Sequence, residues 1–160
     1  MLRRLLEQRA RFLAHVRELM GPGDRLILGT DLVKDTPMLE AAYDDAEGVT
    51  AQFNLNVLRV LNSQLGADFD LAAFEHVAVF VDEHERIEMR LRSRFDQTVS
   101  IPGAGITVDF AEGEEMLTEI SCKFTPQRVA QELTAAGLEL AELITDEQGL
   151  FAVSVASPAA

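Results

Sequence analysis

Between residues 2 and 20 the apolar side chains Leu2, Leu5, Leu6, Leu13, Val16 and Met20 recur at helical spacing, with arginines and glutamates between them. That pattern predicts an amphipathic helix packed by one stripe. Gly21-Pro22-Gly23-Asp24 stops it and turns the chain into "RLILGTD", a short apolar run that reads as a buried strand. Helix, tight turn and buried strand together resemble one repeat of a parallel α/β sheet. Thr36-Pro37 opens a second helix, with Thr36 as cap, carrying Leu39, Ala42 and Tyr43. A longer helix is predicted from Val49 to Leu65, with Phe53, Val57, Leu58 and Leu61 on its apolar stripe and Gly66 just beyond its end. "DFDLAAF" reads as a short capped turn.

After residue 75 the period changes from helical to alternating. "HVAVFVD", "RIEMRLRSR", "TVSIPG", "ITVDF" and "MLTEISCKF" are short, alternating or apolar, and predict an antiparallel meander. Thr125-Pro126 then caps a helix running to Ala136, closed by Gly137. "LELAELI", a turn at "TDEQG", and "FAVSVA" predict a final hairpin, and "SPAA" a frayed tail. No repeat, low-complexity tract or long linker divides the chain, so the pattern is α/β.

Composition narrows the function. The chain has 160 residues, 48% of them apolar, and 14 basic against 27 acidic groups give a net charge of −13. So acidic a surface is repelled by nucleic acid and by anionic membranes, which leaves small molecules or other proteins as partners. A single cysteine, Cys122, excludes an internal disulfide. The N-terminus has no apolar run of signal-peptide length, and no stretch approaches the length of a membrane span. The expected compartment is the cytoplasm.

Candidate chemistry is sparse. A cofactor-binding glycine loop lies between a strand and a following helix. Gly21–Gly23 stands between helix and strand, and Gly103–Gly105 between two strands, so both read as turns. His15, His76 and His84 lack metal-ligand spacing, and Cys122 shares its strand face with Ile120 and Phe124, as a packed thiol does. Tyr43 precedes Asp44-Asp45; its ring either packs in the core or faces a site. Asn54 and Asn56 interrupt an otherwise good helix, where asparagine is a weak former. Met89 alternates with Ile87 and Leu91, either as core or as the lining of a pocket. Glu119 and Ser121 lie on one face of a strand, roughly 7 Å apart. They are either a solvated outer face or the wall of a pocket, where a carboxylate and a hydroxyl would suit the two nitrogens of an imidazole.

The strings "GDRLILGTDLVKD", "AAYDDAEGVTAQFNLNVLRVLN", "FEHVAVF", "IEMRLRS" and "EEMLTEISCKF" resemble the C-terminal half of the S-adenosylmethionine-dependent histidine Nα-methyltransferases of ergothioneine biosynthesis. The resemblance implies the C-terminal part of a Rossmann-like methyltransferase sheet, over residues 1–35 and 124–160. An inserted α/β substrate-binding lobe with an antiparallel meander would occupy residues 36–123. It also implies that Tyr43 helps hold the carboxylate of L-histidine, that Glu119 and Ser121 grip the imidazole, and that Met89 lies along the ring. No catalytic base or metal ligand is implied. Family members are about twice as long, and the half that binds S-adenosylmethionine has no counterpart here. A complementary N-terminal chain or a homo-oligomer is therefore the expected partner, and the alternative is a non-catalytic remnant that assembles through the uncovered surface.

Overall fold

The computed structural model describes the backbone of residues 2–159 and the side chains of residues 7–159. Leu2, Leu5 and Leu6, expected on the stripe of the first helix, have side chains outside the described residues. The chain falls into two compact units, Met1–Lys34 with Cys122–Ala160, and Asp35–Ser121. Among the described residues, no helix is long and apolar enough to cross a membrane.

In the first unit, helix α1 (Leu2–Leu19) and helix α4 (Pro126–Ala135) pack with strands β1 (Leu26–Asp31), β7 (Leu138–Thr145) and β8 (Phe151–Pro158). Leu13, Val129, Leu133, Leu138 and Ala156 form the shared core. The Thr125 hydroxyl accepts from the Arg128 amide at 3.2 Å, and Pro126 occupies the first turn, so α4 starts where its sequence asks. Arg9 reaches Glu132 at 2.7 Å, and the guanidiniums of Arg9 and Arg128 lie 5.0 and 5.7 Å from the centre of the Phe124 ring.

The strand order is β1-β8-β7 and both pairings are antiparallel. The parallel neighbour expected for β1 is therefore replaced. The tight β7–β8 hairpin delivers β8 against β1, so β1 and β7 share a direction with one strand between them. A single parallel bridge, Leu32 to Phe124, is present among the described residues. Nor is β1 buried on both faces. Leu26 and Leu28 face the helices, whereas Ile27 is 71% exposed because the described helices cover only one side.

The second unit holds helices α2 (Thr36–Tyr43) and α3 (Val49–Leu65) and strands β2 (Phe74–Val81), β3 (Arg86–Ser93), β4 (Gln97–Ile101), β5 (Ile106–Phe110) and β6 (Glu115–Cys122). Helix α2 begins one residue earlier than its sequence suggests: Asp35, not Thr36, is the cap, and it makes no side-chain bond. Gly66 ends α3 with φ 63°, a left-handed conformation that favours glycine. Asp70 caps the short turn Leu71–Ala73 by accepting from the Ala72 amide.

The predicted antiparallel segments do not form one continuous meander. β2 and β3 make a hairpin, β4 and β5 make a separate two-stranded sheet, and β6 returns to give the order β2-β3-β6. The return is pinned where the Ser93 amide donates to the Glu114 carbonyl and the Gly113 amide donates to the Ser93 carbonyl, both at 2.8 Å. The β4–β5 hairpin buries Val99, Ile101 and Phe110 with Leu58, Phe69, Phe74 and Leu91. Gly103 at its tip sits so close to α3 that a Cβ would meet the Leu65 backbone at 2.8 Å.

The two faces of β3 do different jobs. Ile87 and Met89 pack with Leu39, Tyr43 and Phe80. The other face carries a ladder of charge: Arg86 and Arg90 bind Glu88, Arg90 and Arg92 bind Glu115 of β6 at 2.6 Å, and Arg92 reaches Glu75 of β2 at 3.1 Å. Burial pushes the Glu88 carboxyl up, but bonds from Arg90 and Arg86 outweigh it and leave it below the ordinary value. The ladder ties β2, β3 and the N-terminal end of β6 side by side.

Candidate functional site

Tyr43 is the last residue of α2, and its hydroxyl lies 2.7 Å from the Ser121 hydroxyl on β6. Met89 of β3, only 3% exposed, backs the tyrosine in the Leu39–Ile87 cluster. Three of the four candidate residues are thus brought together by three separate elements. Glu119 is placed beside them rather than among them. It is exposed, and with Thr118 it lines a cleft of ≈ 220 Å³ against Phe53, Asn54, Asn56 and Val57 of α3. β6 is the edge strand of its sheet, not a central one, so the neighbouring residues Thr118 and Glu119 can both reach the cleft. The Thr118 hydroxyl is also anchored inward, donating to the Met89 carbonyl at 2.8 Å.

The cleft changes the reading of α3. Phe53 and Val57, expected on the buried stripe, are 66% and 39% exposed, whereas Asn54 is 3% exposed. Leu58 and Leu61 of the expected stripe do pack, joined by Leu55 and Leu65 rather than by Phe53 and Val57, and the helix is turned so that an aromatic and two asparagines border Glu119. Asn56 is exposed. Asn54 points inward: its Nδ2 lies 2.9 Å from His76 Nδ1 and donates to the Arg90 carbonyl at 3.1 Å, and His76 Nε2 lies 2.7 Å from the Tyr43 carbonyl. The weak helix propensity of asparagine was the available signal for Asn54; nothing in the local sequence marked His76.

The segment after Tyr43 is a joint between helices. Asp44 is exposed, and Asp45 accepts from the Thr50 and Val49 amides at 2.8 and 2.9 Å, capping α3. Those bonds, with Thr50 contributing most, hold the Asp45 carboxyl down at about 2. A depressed carboxylate stabilises the fold above its ordinary value and loses that contribution as pH falls. Asp45→Asn is therefore expected to melt at a lower temperature than the unaltered chain at neutral pH. The gap should close between pH 3.8 and about 2, as read by thermal melts across that range.

Other groups stay outside this assembly. Cys122 is a half-buried free thiol. His84 lies in the turn between β2 and β3, Gly21–Gly23 joins α1 to β1, and Gly103–Gly105 joins β4 to β5. Among the described residues, no cluster of three or more His, Cys, Asp or Glu side chains is placed to hold a metal ion.

Residues 5–158 match the family described as "Histidine-specific methyltransferase, SAM-dependent". The chain is 57% identical over 148 residues to histidine N-alpha-methyltransferase of Mycolicibacterium smegmatis, covering 92% of this chain and 46% of that protein. It is 56% identical over 149 residues to the protein of the same name from Mycobacterium tuberculosis, covering 93% and 46%. Ergothioneine biosynthesis protein 1 of Neurospora crassa is 37% identical over 57 residues, 36% of this chain and 6% of its own. The chain therefore spans about half the length of the two bacterial relatives.

Proposed function

This chain belongs to the histidine-specific, S-adenosylmethionine-dependent methyltransferase family, and from that premise we propose that it is the substrate-binding half of a histidine Nα-methyltransferase. The observation that carries the reading is the 2.7 Å contact between Tyr43 and Ser121, with Met89 behind it and Glu119 two residues along the same strand. In this reading Glu119 accepts from one imidazole N–H, Ser121 serves the other ring nitrogen, Met89 forms the apolar floor and Tyr43 reaches the substrate carboxylate. The carboxylate of Glu119 makes the charge-assisted bond, the strongest single contact such a pocket offers.

The family description assigns S-adenosylmethionine as methyl donor, and the residues of this chain do not fit it. A phosphate- or nucleoside-binding glycine turn needs a strand before it and a helix after it. Neither glycine turn here has that order. Binding of the cofactor is assigned to the other half of a full-length family member, supplied by a further stretch of polypeptide or by a partner chain. That half would also cover Ile27, Ile144 and Phe151, which are exposed on the first unit. What this chain contributes is orientation: holding histidine with its α-nitrogen outward removes much of the entropic barrier to an in-line displacement.

Isothermal titration calorimetry tests the reading. L-Histidine is expected to bind the chain alone and to raise its melting temperature, whereas S-adenosylmethionine gives neither heat nor a shift. A chain that folds cooperatively yet shows no heat and no shift with histidine would end the proposal.

A further inference from the structure

Tyr43 is held at two ends. Its hydroxyl meets Ser121, and its carbonyl, at the C-terminal end of α2, faces His76 Nε2 at 2.7 Å. A carbonyl can only accept, so Nε2 carries a proton. On the other side of the ring, Asn54 Nδ2 lies 2.9 Å from Nδ1 and also donates to the Arg90 carbonyl at 3.1 Å. The Arg90 carbonyl fixes which way the amide faces, because turning it would set the amide oxygen against another oxygen. The amide nitrogen therefore donates to Nδ1, and Nδ1 is the acceptor. Every hydrogen of the set has one direction: from Asn54 into the ring, and from the ring into the end of α2.

We infer that His76, oriented by Asn54, is a positioning residue that sets where the Tyr43 ring stands in the histidine site. The inference rests on the proposed function for its consequence but not for its geometry. Asn54 comes from α3, His76 from β2 and Arg90 from β3, so the pair locks the last turn of α2 to three other elements. Freed from that bond, the end of α2 keeps the Leu39 contact, the Asp44 amide bond to Glu40, the Phe80 amide bond to the Glu40 carboxylate and the Tyr43–Ser121 contact, and loses the tie that holds the Tyr43 backbone to β2. A misplacement of about 1 Å in a binding group can cost on the order of a hundredfold in productive complexes.

The chain has one tyrosine and no tryptophan, so its intrinsic fluorescence reports on Tyr43 alone. In the unaltered, ligand-free chain, long-range proton–nitrogen NMR is expected to show His76 as the neutral ring protonated on Nε2. A ring protonated on Nδ1 would overturn the inference, and this holds whether or not any variant folds. His76→Phe removes both ring bonds; its tyrosine emission is expected to be quenched by acrylamide about twice as readily. Histidine affinity in that variant is expected to fall about tenfold or more. His76→Gln places an amide where Nε2 stands and should restore both readouts. A folded His76→Phe with quenching and affinity like the unaltered chain would also overturn it. If the unaltered chain does not bind histidine at all, the functional reading fails, while the tautomer and quenching results still decide the role of His76.

Discussion

Replacing Glu119 by glutamine is expected to weaken histidine binding by about ten- to a hundredfold and to leave the melting temperature almost unchanged. Glutamine keeps the shape and one acceptor oxygen but removes the charge, and a hydrogen bond to a charged group is worth about 1.5–3 kcal/mol. Each 1.4 kcal/mol is about tenfold in affinity. The fold should not notice, because Glu119 is exposed and such substitutions stay within about 0.5 kcal/mol. In the proposed site Glu119 and Ser121 can both accept from the ring, and a ring that donates from both nitrogens is bound as the imidazolium, which the Glu119 charge favours. Calorimetry through the ordinary histidine range, near pH 6.5, should therefore show binding that tightens as pH falls. The Glu119→Gln variant should lose most of that slope. Equal affinity in the two proteins at every pH would remove Glu119 from the site.

The parts of this fold that were legible in the sequence are those set by neighbours along the chain. The limits of α3, its glycine stop, the Thr125 cap and the β7–β8 hairpin follow from local rules, and they stand where those rules put them. Pairings between distant segments were not legible. Whether β4–β5 joins β3 or folds away depends on the Ser93–Glu114 closure and on aromatic packing of Phe69, Phe74 and Phe110, with ring centres 5.3–6.3 Å apart. No period-2 pattern encodes that choice. Among the candidate residues, alternation placed Met89 on an apolar face and Glu119 with Ser121 on a polar one, and the resemblance supplied the roles of all four, Tyr43 included. The polar support was hidden for a physical reason. A buried asparagine and a solvent-facing one look alike until the helix is rotated by its packing, and here Leu55 and Leu58 turned Asn54 inward. Lys123 is hidden in the same way: it alternates with Glu119 and Ser121 along the chain, yet it is fully buried while Glu119 is exposed.

That buried lysine leads to the largest stability effect expected in the first unit. Lys123 is 0% exposed and meets the Asp31 carboxylate at 2.7 Å, while Lys34 reaches the same carboxylate at 2.6 Å from a more open position. The two ends of the pair are unequal. Asp31→Ala takes away a carboxylate bound to a wholly buried ammonium, and removing one partner of such a pair costs about 3–5 kcal/mol. The low end, about 3 kcal/mol, is expected because the Asp31 side chain is itself 33% exposed. Lys123→Met should cost much less, about 1 kcal/mol or below. The methionine refills the space of the lysine stem, and Asp31 keeps both Lys34 and water. Burial pushes the Asp31 carboxyl up, but the bonds from Lys123 and Lys34 outweigh it and hold it below its ordinary value of 3.8. Its stabilisation is therefore complete above that value and lost as pH falls through the depressed one. Urea unfolding at neutral pH should rank Asp31→Ala well below Lys123→Met, and the deficit of Asp31→Ala should shrink on acidification below pH 3.8. Equal losses from the two substitutions would mean that the ammonium is solvated and that the pair contributes no more than a surface bridge.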